Sequence, residues 1–246
     1  MKSTVCILII VVIVPQLYGQ DLDLNMLTDA YFREKVNPLA TLLPFAIGGS
    51  FTGDVGFLQP GEIRISVNEG TNFVSSELSV GPMNDVDRFS LPMFNIALSV
   101  DPRVELSGKF SSINIGNRAV VITGFGLRYR TYSNEKGDKG ISFGVMVNAL
   151  RGPEDFRIWD MTLHLDLLKI RESTSFKASI GADFSEMRIA VKDEGNLLNE
   201  KNENIERTQS WVAVGISQNL GKVFFSFLQF QQGQSRRLNI GLGVRL

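Results

Sequence analysis

From about residue 60 onward the chain is a succession of segments in which apolar and polar residues alternate with period two. In the last of them Leu238, Ile240, Leu242, Val244 and Leu246 share one face, and Arg237, Asn239, Gly241, Gly243 and Arg245 share the other. The rhythm starts with Ile63, Ile65 and Val67 and returns over 94–100, 104–110, 121–130, 141–147, 159–167 and 176–185. It is less clean over 211–217 and 223–230. Asp101-Pro102-Arg103 predicts a tight turn, because proline presets one turn dihedral and aspartate bonds the backbone beyond it. Counted this way the chain holds about ten strands.

Alternation alone does not separate a soluble sheet from a membrane one, but strand length does. Soluble strands average about 5–6 residues and membrane-spanning ones need about 9–11, and several of these segments run ten or more. An even count also returns the last strand to the side where the first begins. The two longest connections, near 70–88 and 192–207, then fall together on the opposite side, as in barrels with long external loops and short periplasmic turns. The expectation is an all-β, antiparallel transmembrane β-barrel of about ten strands, with both termini periplasmic.

Residues 22–45 follow a different rule. Leu24, Leu27 and Tyr31 recur at helical spacing, followed by Val36, and Asn37-Pro38 and Pro44 interrupt the pattern. A short amphipathic helix with an irregular lead-in is expected, either packed at the barrel mouth or plugging the lumen. The resulting division is 1–20, 21–58 and 59–246 for signal peptide, helical lead-in or plug, and barrel.

The first segment is read from Lys2, the uncharged apolar run over 5–14, Pro15 and the small Gly19, which form the three regions of a secretory signal peptide. The run is shorter than the roughly 20 apolar residues of a membrane helix. The only cysteine, Cys6, falls inside it, so a processed chain of roughly 225 residues has no thiol for a disulfide or a thiolate metal site. Net charge is −1, from 25 basic and 26 acidic residues, and nothing suggests a nucleic-acid partner.

The order of features resembles the fatty-acid-transporter-like outer-membrane barrels, and most closely an uncharacterised family of Gram-negative, Bacteroidota-type barrels. The resemblance rests on Tyr31 and Asn37-Pro38 ahead of Gly48-Gly49-Ser50, on a hairpin with a Pro turn over 95–113, on "VITGFGLRYRTY" over 121–132, and on the closing "LNIGLGVRL". It implies the outer membrane as location, membrane lipid as surroundings, and the barrel-assembly machinery as a partner during insertion. Two features depart from the pattern. Fatty-acid transporters have more strands, and the chain ends in Leu246 where such barrels commonly end in an aromatic residue.

Lys109, Arg128, Arg130, Lys177, Arg237 and Arg245 fall on the polar face, with Glu105, Asp160, Asp166 and Asp183 as candidate partners. In a barrel of eight to ten strands such charges pair and fill the interior, or else line a narrow polar pore. His164, the only histidine, lies among Asp160, Thr162 and Asp166, but catalysis needs a serine within its reach and "LHLDLL" has none. The expected functions are passive transport, through a porin-like or hydrophobic small-molecule channel, or a non-conducting structural or interaction barrel. No enzyme, cofactor or metal site is expected. The glycines at 124, 126, 181, 215, 241 and 243 fit no phosphate loop and are expected to admit neighbouring side chains.

Overall fold

The computed structural model describes residues 32–48, 58–77, 87–115, 118–152, 156–192 and 200–246. The expected signal peptide with Cys6, and the helical positions Leu24, Leu27 and Tyr31, lie outside them. One helix, α1 (Phe32–Ile47), precedes ten strands: β1 (Ile63–Phe73), β2 (Arg88–Asp101), β3 (Val104–Ile115), β4 (Arg118–Ser133), β5 (Lys139–Arg151), β6 (Phe156–Arg171), β7 (Thr174–Lys192), β8 (Glu200–Leu220), β9 (Phe224–Gln232) and β10 (Arg236–Arg245).

Each strand pairs antiparallel with its sequence neighbours, and β1 pairs with β10 through ten residue pairs from Arg64–Arg245 to Phe73–Arg236, which closes the sheet. The connections after β2, β4, β6 and β8 are short and lie at the end where β1 starts and β10 finishes, called here the turn end. The connections after β1 and β7 leave the other, long-loop end. At the turn end Asp101 Oδ1 accepts the Arg103 N–H at 2.9 Å, the expected aspartate turn. Gly137 and Gly221 supply the positive φ values, 68° and 84°, of two further turns.

Period-two alternation is converted directly into two surfaces. Phe125, Ile180 and Val214 are about 60% exposed on the outer wall (62%, 59% and 59%), whereas Arg128 and Arg237, of the opposite parity, are 2% and 1% exposed inside. Buried charges beneath an exposed apolar wall are the inverse of a soluble sheet and are the arrangement of a transmembrane barrel, where lipid takes the outer face. Among the described residues no helix is long and apolar enough to cross a membrane.

Two local expectations are corrected. The acidic stretch expected as a loop over 192–207 is shorter, because β8 begins at Glu200 and pairs with Lys192 of β7. A ladder already running satisfies each further backbone pair, whatever the composition of the side chains. The helix is also not interrupted: Pro38 and Pro44 both lie within α1. Proline removes a helical donor and crowds the preceding turn, at a cost of about 3 kcal/mol or more. The helix is held in place from outside its own ladder as well: Gln209 Nε2 of β8 donates to Thr41 O at 2.7 Å, and within the helix Thr41 Oγ1 donates to Asn37 O at 3.0 Å.

Inside the wall, Gly241 and Gly243 of β10 lie under the rings of Phe227 and Phe225 of β9, and a Cβ at either glycine would overlap the ring above it. Gly241→Val is therefore expected to destabilise the barrel by about 1–3 kcal/mol through overpacking. The check is the urea midpoint at which the fast-migrating, unboiled gel band is lost, which should fall relative to wild type.

Candidate functional site: the plugged lumen

The inward positions divide the lumen into two chambers. Toward the long-loop end they are apolar: Leu91 and Met93 of β2, Ile122 of β4, Leu150 of β5, Ile158 of β6 and Met187 of β7 are all buried. α1 occupies this chamber, packing Val36, Leu39, Leu42, Leu43 and Ile47 into the same apolar cluster, while Phe45 packs on Trp211 and Ala213 of β8. Toward the turn end the inward residues are polar and charged.

The helix direction follows from its contacts. Asn37 Oδ1 accepts from Arg207 Nη2 at 2.6 Å, and Arg207 lies on the part of β8 nearest the long loops. At the other end of α1, Lys109 Nζ donates to the Ile47 carbonyl, and Arg237 Nη1 donates to the Gly48 carbonyl at 3.3 Å. Two cations thus meet the negative end of the helix dipole. Further along, Arg130 Nη2 donates to the Leu58 carbonyl at 3.4 Å, and Leu58 lies beside Ser99 and Asp101 at the turn end. α1 therefore runs from the long-loop side of the lumen toward the turn end, where Leu58 lies and β1 begins.

The predicted polar residues fall into three groups. At the floor of the lumen Glu105 bridges two arginines, Oε1 to Arg64 Nη2 at 3.0 Å and Oε2 to Arg128 Nη2 at 2.6 Å, with all three side chains buried. Above it Asp166 accepts Ser179 Oγ at 2.6 Å and lies 3.5 Å from both Ser142 Oγ and His164 Nε2. Lys177, two residues from Ser179 on the inner face of β7, is buried in the same layer. Higher still, Asp160 accepts from Asn148 Nδ2 at 2.7 Å, and Thr162 Oγ1 lies 2.7 Å from Asp183 Oδ1 and 3.1 Å from Asp160 Oδ2. Gly48 is seated against Asp160 and Asp183, and an alanine Cβ there would come within 2.9 Å of Asp160 Oδ2.

Arg130 and Arg245 are only half-buried and sit nearer the turn-end mouth. Arg245 Nε is 4.0 Å from Glu62 Oε1, and its guanidinium lies 5.6 Å from the Phe225 ring centre. Sequence reasoning missed Arg64, Gln209 and Asn148. Arg64 and Asn148 share the polar parity of their strands, which was the available signal. Gln209 lay in a stretch read as leading into an irregular strand.

The histidine does acquire serine neighbours, Ser142 and Ser179, but through the wrong intermediary. In nucleophilic catalysis the histidine stands between the serine and the acid. Here Asp166 stands in the middle and takes the serine hydrogen bond itself, and the group is closed off in the lumen wall. The described residues contain no cluster of three or more His, Cys, Asp or Glu suited to a metal ion.

No family model and no curated protein matches the sequence. Solved structures similar to it include the attachment invasion locus protein Ail of Yersinia pestis, at 13% identity and a TM-score of 0.38, covering 76% of this chain and 100% of that one. The N-terminal β-barrel domain of Pseudomonas aeruginosa OprF gives 11% identity and a TM-score of 0.34, covering 76% and 98%. The KdgM porin gives 9% and 0.38, covering 74% and 98%. Likenesses this distant carry no inference about function, and the barrel stands on its own strand pairing.

The floor offers a direct test. Glu105→Gln removes the charge that both Arg64 and Arg128 face, and breaking a buried pair of this kind costs about 3–5 kcal/mol. The expected outcome is a marked drop in the urea midpoint of the folded band. The same change at exposed Glu206 should leave that midpoint within experimental error.

Proposed function

We propose that this chain is an outer-membrane β-barrel that is closed across its lumen and serves the envelope as a structural or interaction barrel rather than as an open pore. The observation that carries this is the seat of α1: its apolar side chains are buried inside the wall, and its backbone is held by Gln209, Lys109 and Arg237. The Arg64–Glu105–Arg128 bridge is a second obstruction below the helix. This ranks the non-conducting barrel ahead of a porin-like channel. The outer membrane is favoured because the apolar wall needs lipid and only closed barrels and helices satisfy every backbone group there. By the usual arrangement of such barrels, the turn end faces the periplasm and the long-loop end faces outward. On that reading Leu246 is periplasmic and the first turn of α1 faces outward.

A gated conduit is the second reading, favoured by one feature: the chamber that holds α1 is apolar, so a displaced helix would leave a passage suited to hydrophobic or amphipathic small molecules. The resemblance to fatty-acid transporters points the same way.

Planar-bilayer recording of the full chain separates the readings. The expected trace has no steady open level. If brief openings occur and vanish when Thr41→Cys and Gln209→Cys are bridged by a short bismaleimide, α1 is a gate. A steady conductance that survives the bridge overturns the closed barrel, and recovery of the protein from the soluble fraction overturns the membrane reading.

A further inference from the structure

Resting on the membrane reading above, we propose that Arg151, Arg157 and Arg188, on the outer wall at the long-loop end, form a binding site for the phosphate of an anionic membrane lipid. The three lie in one cross-strand row: Arg151 pairs with Arg157 between β5 and β6, and Arg157 pairs with Arg188 between β6 and β7. All three are exposed and share the parity of the lipid-facing residues Val147, Trp159 and Phe184. Like charges directly opposite on neighbouring strands destabilise a sheet unless an anion joins them.

The acid that Arg188 meets is Glu186, and it is already engaged. Glu186 accepts from Asn204 Nδ2 at 2.7 Å and from Arg188 Nη2 at 2.8 Å. Among the described residues Arg151 and Arg157 have no carboxylate partner. A cavity of about 250 Å³ opens between them, lined also by Gly152 and Trp159. Guanidinium groups match phosphate oxygens two by two, and tryptophan belongs at the membrane interface, so headgroup and acyl chain are both provided for.

The height of the site supports a lipid as its occupant. β5 carries thirteen residues from Lys139 to Arg151. At the rise and tilt of barrel strands this is about 30 Å along the barrel axis, the thickness of the hydrocarbon layer. Its turn end carries the matching pair Lys139–Lys169. The arginine row thus stands at the upper edge of the apolar belt, where headgroup phosphates lie.

Trp159, one of only two tryptophans, is the reporter, with Trp211→Phe as background to silence the buried one. The full chain is refolded into phosphatidylcholine vesicles, and Trp159 emission is measured with chain-brominated phosphatidic acid or chain-brominated phosphatidylcholine at equal mole fraction. Quenching at least fivefold more efficient by the phosphatidic acid is expected. Arg151→Gln with Arg157→Gln should bring the ratio near one, while Lys139→Gln with Lys169→Gln should leave it unchanged. Equal quenching by both lipids overturns the site alone. A preference abolished by millimolar glycerol phosphate shows an unselective anion site and overturns the lipid assignment. No quenching by either lipid overturns the membrane reading as well.

Discussion

Inside hydrocarbon there is no water to complete an unpaired backbone group, and the whole architecture answers to that constraint. The β1–β10 ladder is where it is met, since without it two strand edges would lie open along the wall. Closure fixes the strand tilt and the narrow bore, and the narrow bore decides what can be inside. Alternating residues then have no choice of environment. One parity meets lipid, and the other is compressed into a cylinder that must be packed and neutralised.

The two chambers meet this second demand differently. In the lower one, side chains pair with one another, with Glu105 shared between two arginines and Asp166 taking a serine hydroxyl. A bridge of this kind gives little net stability, because desolvation of three ions opposes it, but it is costly to break. The upper chamber is apolar and too wide for its own side chains, and a helix from the same chain fills it. The junction between chambers is crowded. There the negative end of α1 meets Lys109 and Arg237, while Asp160 and Asp183 press against Gly48. Plug and wall are one packing unit at that level.

Much of this was legible in the sequence because alternation carries the physics of the wall. The count of ten strands, the inward parity of Arg128, Lys177 and Arg237, and the aspartate turn at Asp101 all follow from period two and local turn chemistry. What was not legible depends on partners distant in sequence. Pro38 and Pro44 read as helix breakers, since nothing nearby shows that the apolar side chains of that helix are enclosed by a wall built from strands far along the chain. Residues 200–207 read as loop because polar composition cannot reveal a ladder extended by its neighbour. The charged face showed which residues are inside, but not that a single glutamate holds two arginines, which depends on register across β1, β3 and β4.

The seat of the helix has a consequence for the seam. α1 touches β1 on one side of the β1–β10 junction and β5, β6, β7 and β8 around the rest of the wall. It spans the cylinder from within and ties the seam strand to strands across the lumen. The plug is thus an internal strut as well as a stopper, and unseating it leaves β1 held to the wall by its ladders alone.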